Sequence, residues 1–372
     1  MKKGCIAVLL LIALMSCARG EELDQGLARV LEGIELDALE RAAQEENLGE
    51  TVLLLARGEV IWNAGEVLSH LKTFVLGEVQ NSMQRMMGLL APSLLCALIG
   101  VLRGKGKSVV SLAESICFLA LAAVMGSDIK TYLAAAEGAV NRMDEIMESL
   151  FPILLTLLAS VGSTAGTALF QPAVAAASGT MTTLVRNVSL PMALGMAVIT
   201  MLDSLSEKMR LHRFSMLLRS CATWTLGIAF TVFIGVTALQ GLSAGTADGV
   251  SIRAAKYAVD HFVPVVGGMF ADTMDTLVGC SLLIKNALGI TGMALLFAAA
   301  GLPMLRTLCA ALMYRLCAAL LQPVGQERVA GTLHGFSDVM TVLFVIQLSV
   351  GAMFMLLIAQ MLAVGNAAVM LR

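Results

Sequence analysis

Charge is what this sequence has least of. Asp, Glu, Lys and Arg make up 14% of its 372 residues while 58% are hydrophobic, and the mean hydropathy is +0.84. Those values exclude an ordinary water-soluble chain and, with it, a soluble enzyme. No positive excess exists either: the net charge of −2 excludes a strongly basic nucleic-acid binder. No C-x-x-C pair occurs among the eight cysteines, so neither a zinc site nor a redox dithiol is expected, and because Cys96, Cys117, Cys221, Cys280, Cys309 and Cys317 sit in apolar runs no disulfide framework is expected. Histidine is limited to four residues, His70, His212, His261 and His334, with no H-E-x-x-H metalloprotease helix. What is abundant is glycine and methionine, 34 and 24 residues, a composition that suits closely packed membrane helices.

The chain opens with Lys2 and Lys3, an apolar stretch over 5–15 and then Ser16-Cys17-Ala18, the layout of a secretory signal peptide over 1–18, with lipoprotein processing at Cys17 as the alternative. Residues 19–82 carry 13 acids and 5 bases, whereas the chain from Met83 onward carries 14 acids and 18 bases. The two regions therefore meet different surroundings. Leu23, Leu27, Val30, Leu31, Ile34 and later Val67, Leu68, Leu71 and Val75 recur at helical spacing, so 19–82 reads as an exported acidic region of amphipathic helices broken near 47–49 and 63–65.

Residues 83–372 read as a polytopic membrane domain. A bilayer needs about 20 largely apolar residues per helix, and candidate runs are 86–102, 109–126, 150–170, 173–202, 221–242, 262–284, 287–305, 306–322 and 339–365. The expectation is an all-α protein with six to nine crossings. Arg103, Lys105 and Lys107 mark a cytoplasmic loop, and Lys208, Arg210, Arg213 and Arg219 mark another. The acids of 127–149 read as a return to the outside, which makes 150–202 one span plus a re-entrant pair, or three short spans, rather than a hairpin.

Three motifs resemble catalytic or nucleotide sites. Gly104-Lys105-Gly106-Lys107-Ser108 resembles the end of a phosphate-binding loop, but Val101 stands where its first glycine belongs. Gly241-Leu242-Ser243-Ala244-Gly245 matches a nucleophile elbow as a string, yet it ends an apolar helix and has no supporting histidine. Asp272 and Asp275 lie on one segment, not on two facing helices as aspartyl catalysis requires. No catalytic, cofactor or metal residue is therefore assigned. Glu114, Asp272, Asp275, Lys285 and Arg315 are candidate intramembrane polar positions, because a charge in hydrocarbon must be paired or hydrated. One reading pairs the two aspartates with Arg315 or Lys285; another makes them the coupling groups of an ion- or proton-coupled transporter. Gly162 with Gly166, and Gly241, Gly245 and Gly249, repeat at four-residue spacing as helix-packing faces.

The segment Lys256-Tyr257-Ala258, Phe262-Val263-Pro264-Val265-Val266-Gly267-Gly268, Asp272, Leu282 through Ala287 with Lys285-Asn286, Gly289, Pro303, Tyr314 and Gln322-Pro323 resembles the stage III sporulation protein AE family. So do Leu150-Phe151-Pro152 and Phe170-Gln171-Pro172. The likeness covers about 150–365. It implies a non-catalytic, multi-pass subunit of the channel, or feeding tube, joining mother cell and forespore, resident in the mother-cell membrane that surrounds the forespore. The implied partners are the other stage III sporulation A proteins, namely the AA ATPase, AB, AC, AD, AF, AG and AH, together with stage II sporulation protein Q. Pro264, Gly267, Gly268, Lys285, Asn286, Gln322 and Pro323 carry over as family-typical positions without an assigned role.

Overall fold

The computed structural model describes residues 36–43, 48–58, 64–101, 107–205, 211–262, 267–324 and 327–370, with a few isolated positions between 27 and 34. The signal-peptide segment 1–18 and Pro264 lie outside the described residues. Two short helices, α1 (Asp37–Ala43) and α2 (Leu48–Ala56), precede α3 (Ala64–Val101) and α4 (Lys107–Ser160); α5 (Thr164–Ala176) and α6 (Leu190–Leu205) follow, then α7 (His212–Phe262), α8 (Gly267–Leu321) and α9 (Glu327–Met370). No strand occurs among the described residues. Five stretches, 115–160, 179–203, 212–240, 276–321 and 327–367, are long and apolar enough to cross a membrane. The protein is all-α, with the helices of a polytopic membrane protein.

Cross-helix contacts fix the register. Tyr314 on α8 donates to Asp128 on α4 at 2.6 Å and Arg219 on α7 pairs with Asp338 on α9 at 2.7 Å. Further along, Lys285 on α8 reaches the Leu362 carbonyl on α9 at 3.1 Å, and Gln360 on α9 reaches Thr237 on α7 at 3.3 Å. Helices α4, α7 and α9 therefore run one way while α3, the 164–205 run and α8 return. The helix ends at Val101, Leu205 and Leu321 and the starts of α4, α7 and α9 fall at one end, and the turn at 161–163, Phe262 and Gly267 at the other.

This arrangement corrects two expectations. Residues 127–149 are not a loop: α4 is continuous, and Tyr132, Ala136, Val140, Met143 and Met147 are buried along one face. Residues 150–205 are the hairpin that was excluded, because α4 ends at Ser160 and 164–205 returns as one helical run, widened into π turns at Ala177–Met181 and Val185–Ser189. Lys130, Glu137, Glu145 and Glu148 occupy one exposed helical stripe of α4, so they report a wet face and not a wet segment, while Asp128 turns toward α8. With 127–149 inside a helix, the helix ends at Val101 and Leu205 that lead toward the two basic stretches point the same way without any re-entrant segment, as the positive-inside rule requires. Windows 262–284, 287–305 and 306–322 likewise lie largely within the single helix α8. Pro303 interrupts it no more than Pro152 interrupts α4.

The turn between α4 and α5 has a local cause. Gly162 adopts φ 93°, its N–H donates to Ala159 O at 2.9 Å and the Ser163 N–H to Leu158 O at 3.1 Å, the paired bonds of a Schellman ending. Gly162 thus terminates α4 instead of forming a packing face with Gly166, which lies buried in α5. Gly162→Ala is expected to destabilise the detergent-solubilised protein by about 1–2 kcal/mol, the cost of left-handed backbone for an L residue, read as a lowered unfolding midpoint.

The acidic region joins this bundle. Helix α1 packs on α4 and α2 on α8, burying Leu39, Leu48, Val52 and Ala56 in the common core. Glu40 Oε1 accepts the Leu48 N–H at 3.0 Å, capping α2. Helix α3 runs without interruption through residue 82, where the charge balance changes.

Candidate functional site

Intramembrane polar groups collect in two layers of the bundle. The first is centred on Asp338 and Tyr314. Asp338 is ion-paired with Arg219 at 2.7 Å and with Arg315 at 3.4 Å. Beside it Tyr314, 1% exposed, holds Asp128, Arg85 donates to Tyr132 at 2.9 Å and Arg306 pairs with Glu78 at 3.3 Å. Glu78, Ser82 and Arg85 share one face of α3, as Asp128 and Tyr132 share one face of α4, the four- and three-residue steps that bring helical side chains into line. These contacts tie α3, α4 and α8 together and α7, α8 and α9 together. Level with Arg306, a bridge from Gln347 Nε2 to Thr307 Oγ1 at 3.1 Å is fully buried between α8 and α9.

The second layer lies toward the opposite end. Lys285 is 1% exposed, and its Nζ meets the Leu362 carbonyl. Gly365 makes room for it: a methyl group there would collide with Lys285 Nζ and stand 3.1 Å from Leu158 on α4. Gly289 plays the same part toward Leu362: a methyl group added there would stand 2.5 Å from a Leu362 methyl carbon. Asn286, Asn366, Gln360 and Gln240 each place a side-chain oxygen in this neighbourhood that is buried without a hydrogen-bond partner among the described residues. Lys285, offered by the sequence both as a polar position and as a family-typical one, is thus the centre of the layer, with Asn286 beside it.

The other sequence candidates are scattered. Arg315 is exposed and belongs to the Asp338 pair. A continuous α8 sets Asp275 about 15 Å from Lys285 and about 60 Å from Arg315 at 1.5 Å per residue, so neither aspartate pairs with either base within one chain. Glu114, Asp272, Asp275, Gly267, Gly268, Gly241, Ser243, Gly245 and Gly249 are described only as helical positions. Gln322 and Pro323 are exposed in a 3-10 turn after α8. Among the described residues no three His, Cys, Asp or Glu side chains converge as a metal site. The sequence reading gave no part to Asp128, Asp338, Glu78 and Arg306, and took Tyr314 only as a carrier of the family resemblance. Their signal was the helical spacing of lone charges within apolar surroundings, and the partners lie on other helices.

The outside of the bundle is divided. On α7, Trp224, Ile228, Val232 and Leu239 are 57–70% exposed. A shallow groove of about 500 Å³ is lined by Thr223, Trp224, Gly227, Ile228, Thr231 and Val232. Thr223 and Thr231 donate to carbonyls of their own helix, at 2.9 Å to Arg219 O and 2.7 Å to Gly227 O. Their hydroxyls are satisfied within the helix, as a lipid-facing surface requires. On α4, by contrast, Glu137, Arg142, Glu145 and Glu148 are exposed.

A model of the family described as stage III sporulation protein AE matches residues 46–365, which carries the family pattern upstream of 150 and into the acidic region. The stage III sporulation protein AE of Bacillus subtilis (strain 168) is 30% identical over 317 residues, covering 85% of this chain and 79% of that protein. No solved structure matches significantly.

Proposed function

The chain belongs to the stage III sporulation protein AE family, and from that premise we propose that it is a non-catalytic integral membrane subunit of the channel linking mother cell and forespore, serving as platform or conduit wall. It resides in the mother-cell membrane around the forespore. Its partners are the other stage III sporulation A proteins, from the AA ATPase and AB, AC, AD and AF to AG and AH, with stage II sporulation protein Q on the forespore side. The observation that supports this reading is the use made of the described interior polar groups: Asp338, Tyr314, Arg306, Gln347 and Lys285 each bind a neighbouring helix. Such contacts fix helix positions, the property a scaffold needs.

On this reading the acidic helices, standing at the exported side of the chain, contact the ring-forming partners. Asp37 and Glu50 are exposed there. A tagged chain isolated from sporulating cells is expected to retrieve the partner proteins, and the Asp37→Lys, Glu50→Lys double variant to retrieve less of the ring-forming ones at an unchanged unfolding midpoint. Surface charges contribute little to folding, so a binding change is separable from a stability change. Retrieval of no sporulation partner by the unaltered chain contradicts the assignment.

A further inference from the structure

We infer that the exposed face of α4 over residues 137–148, with the neighbouring π-helical turns, is turned to water at the depth of the bilayer and forms part of the wall of an aqueous passage. The inference deepens the conduit reading above and rests on it.

Depth comes from the register. The Arg219–Asp338 pair and the Thr237–Gln360 bond mark two levels. They are about 22 residues apart along α9 and about 18 along α7, or about 27–33 Å at 1.5 Å per residue, close to the roughly 30 Å of a hydrocarbon core. Helix α4 runs alongside α9 through this interval: Asp128 is level with Tyr314 at the first layer, a methyl at Gly351 would stand 3.4 Å from Met143 Sδ midway, and Leu158 reaches Gly365 at the second. Residues 137–148 therefore lie midway between these two levels. So do Ile228 and Val232 of α7, apolar and exposed on their own side.

Glu137, Asn141, Glu145 and Glu148 follow steps of four, four and three, so they form one stripe, opposite the buried Tyr132, Ala136, Val140, Met143, Met147 stripe. Arg142 is exposed beside it. The 164–205 run extends the polar surface: Arg186, inside the second π turn, donates to Asn141 Oδ1 from Nε at 2.9 Å and from Nη2 at 2.5 Å, and Thr183 and Asn187 are exposed next to it. Three acids and two bases in the open at mid-bilayer are incompatible with lipid, because hydrocarbon offers them neither hydration nor partners. A dry protein interface is also disfavoured, since the cores of such interfaces are depleted in Glu, Asp and Lys. Water satisfies every group on the face.

The test uses the full chain in opened membranes of its sporulating host, with native cysteines replaced in a variant first shown to support sporulation. Single changes Asn141→Cys, Glu145→Cys and Glu148→Cys are compared with Ile228→Cys and Val232→Cys, using a charged, membrane-impermeant thiol reagent. The α4 positions are expected to react to completion and the α7 positions only after denaturation. Unreactive thiols at 145 and 148 that become reactive on denaturation would overturn the inference, as would equal reaction at 228 and 232. Reaction confined to α4, together with full spore yield from Glu145→Trp, upholds the wet face and sinks the conduit reading.

Discussion

Gly365→Ala is expected to lower the unfolding midpoint of the detergent-solubilised protein markedly, a loss of about 2.5–6 kcal/mol. Overpacking a filled interior costs about 1–3 kcal/mol, and a hydrogen bond from a charged donor contributes about 1.5–3 kcal/mol. Both terms apply at once, because the added methyl occupies the place of Lys285 Nζ. The ammonium is at the end of a flexible chain and would move elsewhere at little cost on a surface. Here it is 1% exposed, with Leu158 closing the same space from α4, so displacement separates it from Leu362 O. The control runs in the opposite sense. Gly227 and Gly235 on α7 have nothing within 4 Å of a built methyl, so Gly227→Ala and Gly235→Ala remove only the backbone freedom of glycine and are expected to stabilise by about 0.5–1 kcal/mol. Thermal melts of the three variants in one detergent check both signs. A Gly365→Ala protein as stable as Gly227→Ala would mean that α8 and α9 do not approach each other as closely as the Lys285 contact requires.

The contrast between these glycines shows what composition reveals and what it conceals. Thirty-four glycines in an apolar chain announce close helix packing, and the all-α membrane class was legible on those grounds alone. Which glycines pack was not. Gly162 and Gly166 share a four-residue spacing, yet the first is a left-handed helix terminator, whereas Gly289, Gly292 and Gly365, which have no conspicuous repeat, face Leu362, Leu150 and Lys285. The reason is physical. A spacing rule describes one helix, whereas close approach is a property of two, and the second is chosen by register over the whole bundle. Helix continuity was hidden for a related reason: charges spaced along α4 imitate a loop when they are counted in a window and resolve into a stripe only when read at the helical period. Asp338 illustrates the rest. Its position in α9 gives no hint that one carboxylate joins Arg219 and Arg315, because those residues come from two other helices.

Lys285 has the opposite character: its type announced it, and its partner did not. An acid from α8 was the anticipated counter-charge, yet continuity of that helix removes Asp272 and Asp275 from reach, and the ammonium meets a carbonyl oxygen instead. A carbonyl supplies a partial charge, so desolvation of the amine is only partly offset; replacing buried ionic groups by apolar ones of similar volume stabilises some proteins by about 1–4 kcal/mol. Lys285→Met matches the length of the stem and leaves Leu362 O within its own helix, so it is expected to raise the unfolding midpoint. Lys285→Glu directs a second acceptor at that carbonyl with no donor between them, and is expected to cost at least about 3 kcal/mol, since a buried charge without a partner is the most expensive arrangement available. The functional expectation runs against the stability order. A residue that weakens the fold and is nevertheless packed against Gly365, with the unpartnered Asn286 oxygen next to it in the chain, is expected to serve the apparatus, so spore yield should fall in Lys285→Met despite its firmer fold. Heat-resistant colony counts measure this directly: a stabilised Lys285→Met chain with undiminished counts would show that the ammonium is idle, and a destabilised one that its bond to Leu362 outweighs its desolvation.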